Sequence, residues 1–140
     1  MKTLMVAALL LGLTALAGML FSRPPLEDDA RGQALAVSFG LFRRAAWQFA
    51  HANPEHQGAI SPDVLALPEG MNGRLWQARM NNGVCYVWGL VSGAESAAIL
   101  ARYHNSQAIG QAQAGTLRPW GYILPDFIPA GALVSLMEVR

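Results

Sequence analysis

The chain has 140 residues, of which just over half are apolar and 14% are charged, and its formal net charge is +1. The arginines are scattered from Arg23 to Arg140, with no run of basic residues interleaved with aromatic ones. A nucleic-acid partner is therefore not expected. Setting aside an apolar leader leaves roughly 115 residues, which is about the size of one domain. The sequence predicts a single folded body and leaves no room for a second.

Residues 1–23 carry the strongest pattern in the sequence. Lys2 precedes an uncharged stretch from Thr3 to Phe21, and Arg23 follows it. As a helix this stretch would be roughly 28 Å long, which nearly matches a hydrocarbon core of about 30 Å. We therefore expect residues 1–23 to form a transmembrane anchor. Its apolar positions include Leu4, Val6, Leu9, Leu13, Leu16 and Leu20.

A cleavable signal peptide is the alternative interpretation of the same segment. Ala15-Leu16-Ala17 offers a small-residue cleavage site, but Met19-Leu20-Phe21 extends the apolar stretch beyond it, as a retained anchor requires. Lys2 favours a cytoplasmic amino terminus. We therefore expect a single-pass protein of the bacterial inner membrane. Residues 24–29 would form a short linker, and residues 30–140 would form one periplasmic domain.

The spacing of apolar residues predicts an amphipathic helix from about Ala30 to Ala52. Asp28 or Asp29 can cap its amino end, because a carboxylate accepts hydrogen bonds from the free amides there, and Asn53-Pro54 ends it. Its apolar stripe consists of Leu35, Phe39, Phe42, Ala46 and Phe49. This spacing is typical of a helix packed on a core.

The sequence from Gln57 to Gly73 is rich in glycine and proline and predicts loops around short extended pieces. Beyond it, the alternation from Arg74 to Met80 and the β-branched and aromatic residues from Val84 to Val91 predict two strands. Asn82-Gly83 between them is typical of a tight hairpin turn.

Ser92 and Glu95 have the spacing of a capping box, so a second helix is expected from about Gly93. Extended segments follow from Ile109, and Ala132 to Val139 predicts a final strand. Because tight hairpins give antiparallel pairs, the sequence predicts an α+β fold. In full, we expect an N-terminal transmembrane helix followed by a small antiparallel sheet with two helices packed on one face.

No motif of known chemistry occurs in the sequence, and we expect no catalytic residue, no cofactor site and no metal site. Cys85 stands among apolar residues and is predicted to be buried; a reactive thiol or an intermolecular disulfide is the alternative. His51, Glu55 and His56 could hold a metal, but Pro54 interrupts the helix between the histidines. Exposed loop histidines are the preferred interpretation.

Two groups of residues are candidates for a surface that contacts a partner. Arg43 and Arg44 lie off the apolar stripe and could meet acidic lipids or a protein, although two charges usually form a solvated face. Trp120, Tyr122 and Phe127 lie in a segment interrupted by prolines and could form a recognition patch, although such aromatic residues are more often core.

Three stretches resemble one known family. They are LPEGMNGRLWQARMNNGVCYVWG, NSQAIGQAQAG and LPDFIPAGALVSL, and they follow a single predicted anchor. Together they resemble the short PilM proteins of plasmid thin-pilus and conjugation operons, which are distinct from the actin-like cytoplasmic proteins of the same name. The resemblance implies an inner-membrane component of type IV pilus assembly or pilin transport. It implies other pilus-assembly proteins as partners and no small-molecule substrate.

Two other functions are alternatives to this one. A pilin-like subunit would have a hydrophilic leader that ends in glycine before its apolar helix, whereas Gly18 lies near the end of the apolar stretch. Arg23 also stands where the pilin pattern has glutamate. The other alternative is a secreted or periplasmic small-ligand binder or enzyme whose site is assembled from residues distant in sequence.

Overall fold

The protein is represented by a computed structural model that describes residues 25–71, 73–103, 106 and 108–139. The stretch from Thr3 to Phe21, for which the sequence predicts an anchor, lies outside the described residues. Within the described ranges, no helix is both long enough and apolar enough to cross a membrane.

Two helices and one sheet make up the described fold. The helices are α1 (Pro25–Ala52) and α2 (Gly93–Arg102). The strands are β1 (Gly58–Ile60), β2 (Gln77–Asn81), β3 (Val84–Gly89), β4 (Ile109–Gln113), β5 (Thr116–Arg118), β6 (Tyr122–Ile123) and β7 (Leu133–Glu138). They form one antiparallel sheet in the order β1-β2-β3-β7-β4-β5-β6. The predicted α+β class with an antiparallel sheet and two helices is confirmed.

Helix α1 packs on the sheet through the predicted apolar stripe. Phe39, Phe42 and Ala46 are fully buried, and Leu35 and Phe49 pack at the margin of the same core. The beginning of the helix differs from the prediction, because residues 25–29, expected to be a linker, are already helical. Proline is compatible with a first helical turn, where its missing amide hydrogen would have no intrahelical partner. Asp28 and Asp29 therefore do not cap a helix at Ala30.

Helix α2 lies against α1 on the same side of the sheet. A methyl group on Gly32 would stand 2.7 Å from the Cβ of Ala98, so the two helices approach closely because Gly32 has no side chain. Arg31 Nε lies 3.0 Å from Glu95 Oε1 across this contact. The predicted capping box is present: the Ser92 amide donates to Glu95 Oε2 at 3.0 Å, and the Glu95 amide donates to Ser92 Oγ at 3.2 Å.

The predicted hairpin is confirmed between β2 and β3. Asn81 pairs with Val84, and Asn82 and Gly83 between them have φ values of 50° and 78°. Both central residues therefore have the positive φ that a tight hairpin turn with the twist of the sheet requires. The first strand of the hairpin, β2, begins later than predicted, because Gly73–Leu75 form a 3₁₀ turn.

Trp76 joins this hairpin to α1. It is 1% exposed, and its indole nitrogen donates a hydrogen bond to Ser38 Oγ at 2.9 Å. The Phe39 ring lies 5.0 Å from the Trp76 ring, and Gly89 at the end of β3 packs against the edge of the indole. Trp76 thus adds a hydrogen bond and ring contacts to the packing of α1 on the sheet.

The face of the sheet turned away from the helices carries a second, smaller core. Since side chains alternate along a strand, Cys85 and Val87 face the helices, whereas Tyr86 and Trp88 face the other side. The segment after β6 folds back over this second face. Its buried contributions are Leu124, Ile128 and Ala132. The sequence did not predict this covering.

Substitution of Gly89 tests the packing around Trp76. A methyl group at this position would lie 2.6 Å from Trp76 Cζ3, so Gly89→Ala should lower the free energy of unfolding by about 1–3 kcal/mol. The matched control is Gly93→Ala, where the added methyl meets nothing within 4 Å. The control should change stability by less than about 1 kcal/mol. Urea unfolding of both variants measures the difference, and equal shifts would contradict the proposed packing.

Cys85 is fully buried and free, as predicted, and burial raises the pKa of its thiol to about 12. The folded chain therefore favours the neutral thiol, and this preference contributes to the free energy of unfolding. The contribution is fully present below pH 9, which is the ordinary pKa of a thiol, and it is lost as the pH rises towards 12. At pH 8 an aromatic disulfide reagent should react about 100-fold or more slowly with the native chain than with the urea-unfolded chain. Equal rates, followed by absorbance, would show that Cys85 is accessible.

Candidate functional site

The second face of the sheet is only partly covered, and its open part forms a groove. The register places Arg79 beside Ala59 on one side and Tyr86 on the other, and it pairs Gln77 with Trp88. The segment after β6 covers the middle strands and reaches Arg79 of β2 through Phe127, but leaves the neighbouring part of β1 and β2 open. The resulting cationic groove has a volume of about 580 Å³. Its lining includes Ala59, Ser61, Arg74, Gln77, Arg79, Trp88 and Phe127.

Aromatic packing fixes one arginine of the cationic groove. The guanidinium carbon of Arg79 lies 4.7 Å from the centre of the Phe127 ring, within the range of a cation–π contact. The Phe127 ring is itself held by Tyr86 and Trp88, each with its ring centre 5.5 Å away. Arg79 is exposed, and no carboxylate of the described chain forms an ion pair with it. The groove therefore presents a positioned positive charge beside an aromatic wall.

A second candidate surface lies at the far edge of the sheet, around β6. Trp120, Tyr122 and Ile123 are exposed there, Ile123 by 86%, and we call these three residues the apolar edge. The indole of Trp120 is held in place because its nitrogen donates to the Ile109 carbonyl oxygen at 3.1 Å. A groove of about 420 Å³ adjoins Tyr122 and Ile123. Its other lining residues include Val84, Tyr86, Leu136 and Glu138.

The five residues predicted to contact a partner do not form one surface. Trp120 and Tyr122 belong to the apolar edge, whereas Phe127 borders the cationic groove. Arg43 is half-buried, and its Nε donates to Ser135 Oγ at 2.6 Å. Burial lowers the pKa of its guanidinium from the usual high value. Arg44 is exposed on α1. That any of them contacts a partner stays a prediction.

The helical side of the sheet carries a third exposed surface, on the outer face of α1. Val37, Leu41 and Trp47 are each partly exposed there, and Trp47 stacks on His51 with ring centres 5.1 Å apart.

The histidines near Asn53 have separate surroundings. His51 stacks on Trp47, whereas His56 Nε2 lies 3.1 Å from the Ala59 carbonyl oxygen at the outer edge of β1. Across the described ranges, no three side chains of histidine, cysteine, aspartate or glutamate are placed to hold a metal ion.

Sequence reasoning missed the two residues that define these surfaces, Arg79 and Ile123. The sequence did contain a signal for Arg79. Buried and exposed residues alternate along β2, so Arg79 lies on the opposite face of the sheet from the buried Ala78 and Met80. The aromatic residue above it, Phe127, is 48 positions away in the sequence. Ile123 gave no signal of exposure, since an isoleucine beside a tyrosine in a strand is usually buried.

Comparison with known proteins gives two matches. The family model described as PilM matches residues 6–136. A crystal structure of a protein named PilM from Escherichia coli B7A superposes with a TM-score of 0.59 at 18% sequence identity, covering 84% of this chain and 96% of that one. At this identity the structural likeness shows a shared fold.

No protein of curated function matches the chain. The family match nevertheless extends over nearly the whole sequence, including the strands that border both candidate surfaces. It confirms the resemblance drawn from the glycine, proline and aromatic pattern. The chain therefore belongs to the PilM family.

Proposed function

We propose that this chain is a non-catalytic inner-membrane component of type IV pilus biogenesis, serving pilin transport or assembly of the basal body. Membership of the PilM family indicates a pilus-related role. The proposed mode of action is protein docking: the amino-terminal stretch anchors the chain as a single-pass protein, and the folded domain contacts other pilus-assembly proteins in the periplasm.

The apolar edge is the observation that carries the docking proposal. Ile123 is a large aliphatic side chain that is 86% exposed, and it lies beside two exposed aromatic rings. Covering these apolar groups with a partner removes them from water, which lowers the free energy. β6 is also a terminal strand of the sheet, so its outer backbone groups can pair with a partner strand. Both features favour a protein partner at this edge.

A small-ligand binder or enzyme remains the alternative function. Sites for small ligands usually enclose most of the ligand surface. The two grooves on the second face are instead open to solvent over the sheet. Their form favours a protein surface as the occupant.

Fractionation of a Gram-negative host that expresses the full chain tests the proposed location. An intact Met1 in the inner-membrane fraction is the expected result, because an uncharged stretch of this length matches the bilayer. A soluble protein whose sequence begins near Gly18 would contradict the anchor and favour the secreted alternative.

Replacement of Thr3–Phe21 by a cleavable export signal tests whether the anchor matters. The released domain should fold but should no longer support pilus assembly, because it loses its position at the membrane. Electron microscopy of pili measures the outcome, with the unaltered chain as the control. Normal piliation by the released domain would contradict anchored docking.

The substitution Ile123→Asp tests the apolar edge. Since Ile123 is so exposed, the variant should keep its stability to within about 0.5 kcal/mol while pilus number falls at least several-fold. Val64→Asp is the matched control, because Val64 is an aliphatic residue exposed by 56% in a different part of the fold. Equal piliation by the two variants would show that the edge is not a docking surface.

A further inference from the structure

We propose that the cationic groove binds an acidic peptide segment of a partner protein, with a carboxylate on Arg79 and neighbouring apolar side chains against Trp88 and Phe127. This inference rests on the proposed docking function, and it adds a second contact site and the chemistry of its occupant. Three properties of the groove support it.

The first property is the position of the Arg79 guanidinium group. The Phe127 ring lies against the guanidinium group, with 4.7 Å between the guanidinium carbon and the ring centre. Because the ring contacts the guanidinium group from one side, the N–H groups directed away from the ring remain able to donate to a partner. Those groups form the planar fork that matches the two oxygens of a carboxylate. Arg79 is therefore held in a geometry suited to binding glutamate or aspartate.

The second property is the charge of the groove. Two arginines, Arg74 and Arg79, contribute to its lining, whereas none of its described lining residues is acidic. The described part of the chain does form an ion pair elsewhere, between Arg31 and Glu95. Arg79 has no such partner among the described carboxylates. An unneutralised positive charge on a defined surface attracts a negatively charged partner.

The third property is the apolar wall beside the charge. Trp88 is 7% exposed and Phe127 is half-buried, and both still line the groove. Ala59, the neighbour of Arg79 on β1, has too small a side chain to fill the space above the sheet. A small acid would leave this apolar surface uncovered. A peptide that alternates acidic and apolar side chains can satisfy the arginine and cover the rings together.

Binding of a synthetic peptide to the full-length chain tests the proposal directly. The probe is a fluorescent heptapeptide of alternating glutamate and valine, and the comparison peptide replaces every glutamate with glutamine. Fluorescence anisotropy at low ionic strength should detect the acidic peptide and not the neutral one. The affinity should fall as salt is added, because exposed charge pairs are screened.

Substitution of Arg79 separates this site from other basic residues. Arg79→Gln should weaken binding of the acidic peptide about tenfold or more, as expected for loss of a charge-assisted hydrogen bond. Arg118→Gln removes an exposed arginine from β5, outside the groove, and should leave binding within about twofold of the unaltered chain. Arg79→Glu should instead bind the corresponding lysine and valine peptide.

Several outcomes would overturn the proposal. Equal effects of Arg79→Gln and Arg118→Gln would show that binding depends on net charge alone. If free citrate displaces the peptide and binds the chain with an affinity equal to that of the peptide, the groove is a small-acid site. Binding of anionic phosphatidylglycerol vesicles in place of the peptide would assign the groove to the lipid surface.

Failure of the groove proposal can be distinguished from failure of the docking proposal. If Arg79→Gln neither weakens peptide binding nor reduces piliation, while Ile123→Asp does reduce piliation, the groove proposal fails and docking through the apolar edge stands. If both variants make normal pili, the docking function fails as well.

Discussion

The burial of Trp76 between α1 and the β2–β3 hairpin is the constraint on which the rest of the fold depends. The indole is a large apolar surface with one polar atom, and that atom donates to Ser38 Oγ at 2.9 Å. Its ring packs on Phe39 from the helix and against Gly89 from the sheet. A side chain at position 89 would push the indole away from the strand. The helix, the hairpin and the end of β3 therefore all contact this one residue.

Once α1 is fixed in this way, the division of the sheet into two faces follows. Cys85, Val87 and Leu133 face the helices, so their neighbours Tyr86, Trp88 and Val134 must face the other side. Those residues are too apolar to remain in water, and the segment after β6 covers them. Gly110 allows β5 to approach β4 closely, because a side chain there would collide with the carbonyl oxygen of Arg118. The covering segment reaches β2 where Phe127 contacts Arg79, and the cationic groove beside this contact remains open.

Both candidate docking surfaces consequently lie away from the helices. Tyr86 and Phe127 pack between them, with their ring centres 5.5 Å apart. Tyr86 lines the groove beside the apolar edge, and Phe127 lines the cationic groove. Burial also raises the pKa of the Tyr86 hydroxyl, which favours its neutral form. Such an arrangement suits a protein that acts through contacts, as proposed for this member of the PilM family.

The sequence by itself determined the features that depend on local chemistry. The hairpin turn at Asn82-Gly83 requires positive φ, and the capping box of Ser92 and Glu95 requires only a spacing of three residues. The stripe from Leu35 to Phe49 follows from helical periodicity. Each of these signals depends on residues that are at most four positions apart, and each was predicted correctly.

Only the tertiary structure decided which residues share a surface. Phe127 contacts Arg79 across 48 positions of sequence, and Arg43 donates to Ser135 across 92 positions. No local pattern encodes such contacts, because they depend on how the segment after β6 folds back over the sheet. For the same reason, the sequence grouped Arg43 with Arg44 as candidate contacts, whereas the fold half-buries one and exposes the other. Local propensity specifies elements, and long-range packing specifies the surfaces they present to a partner.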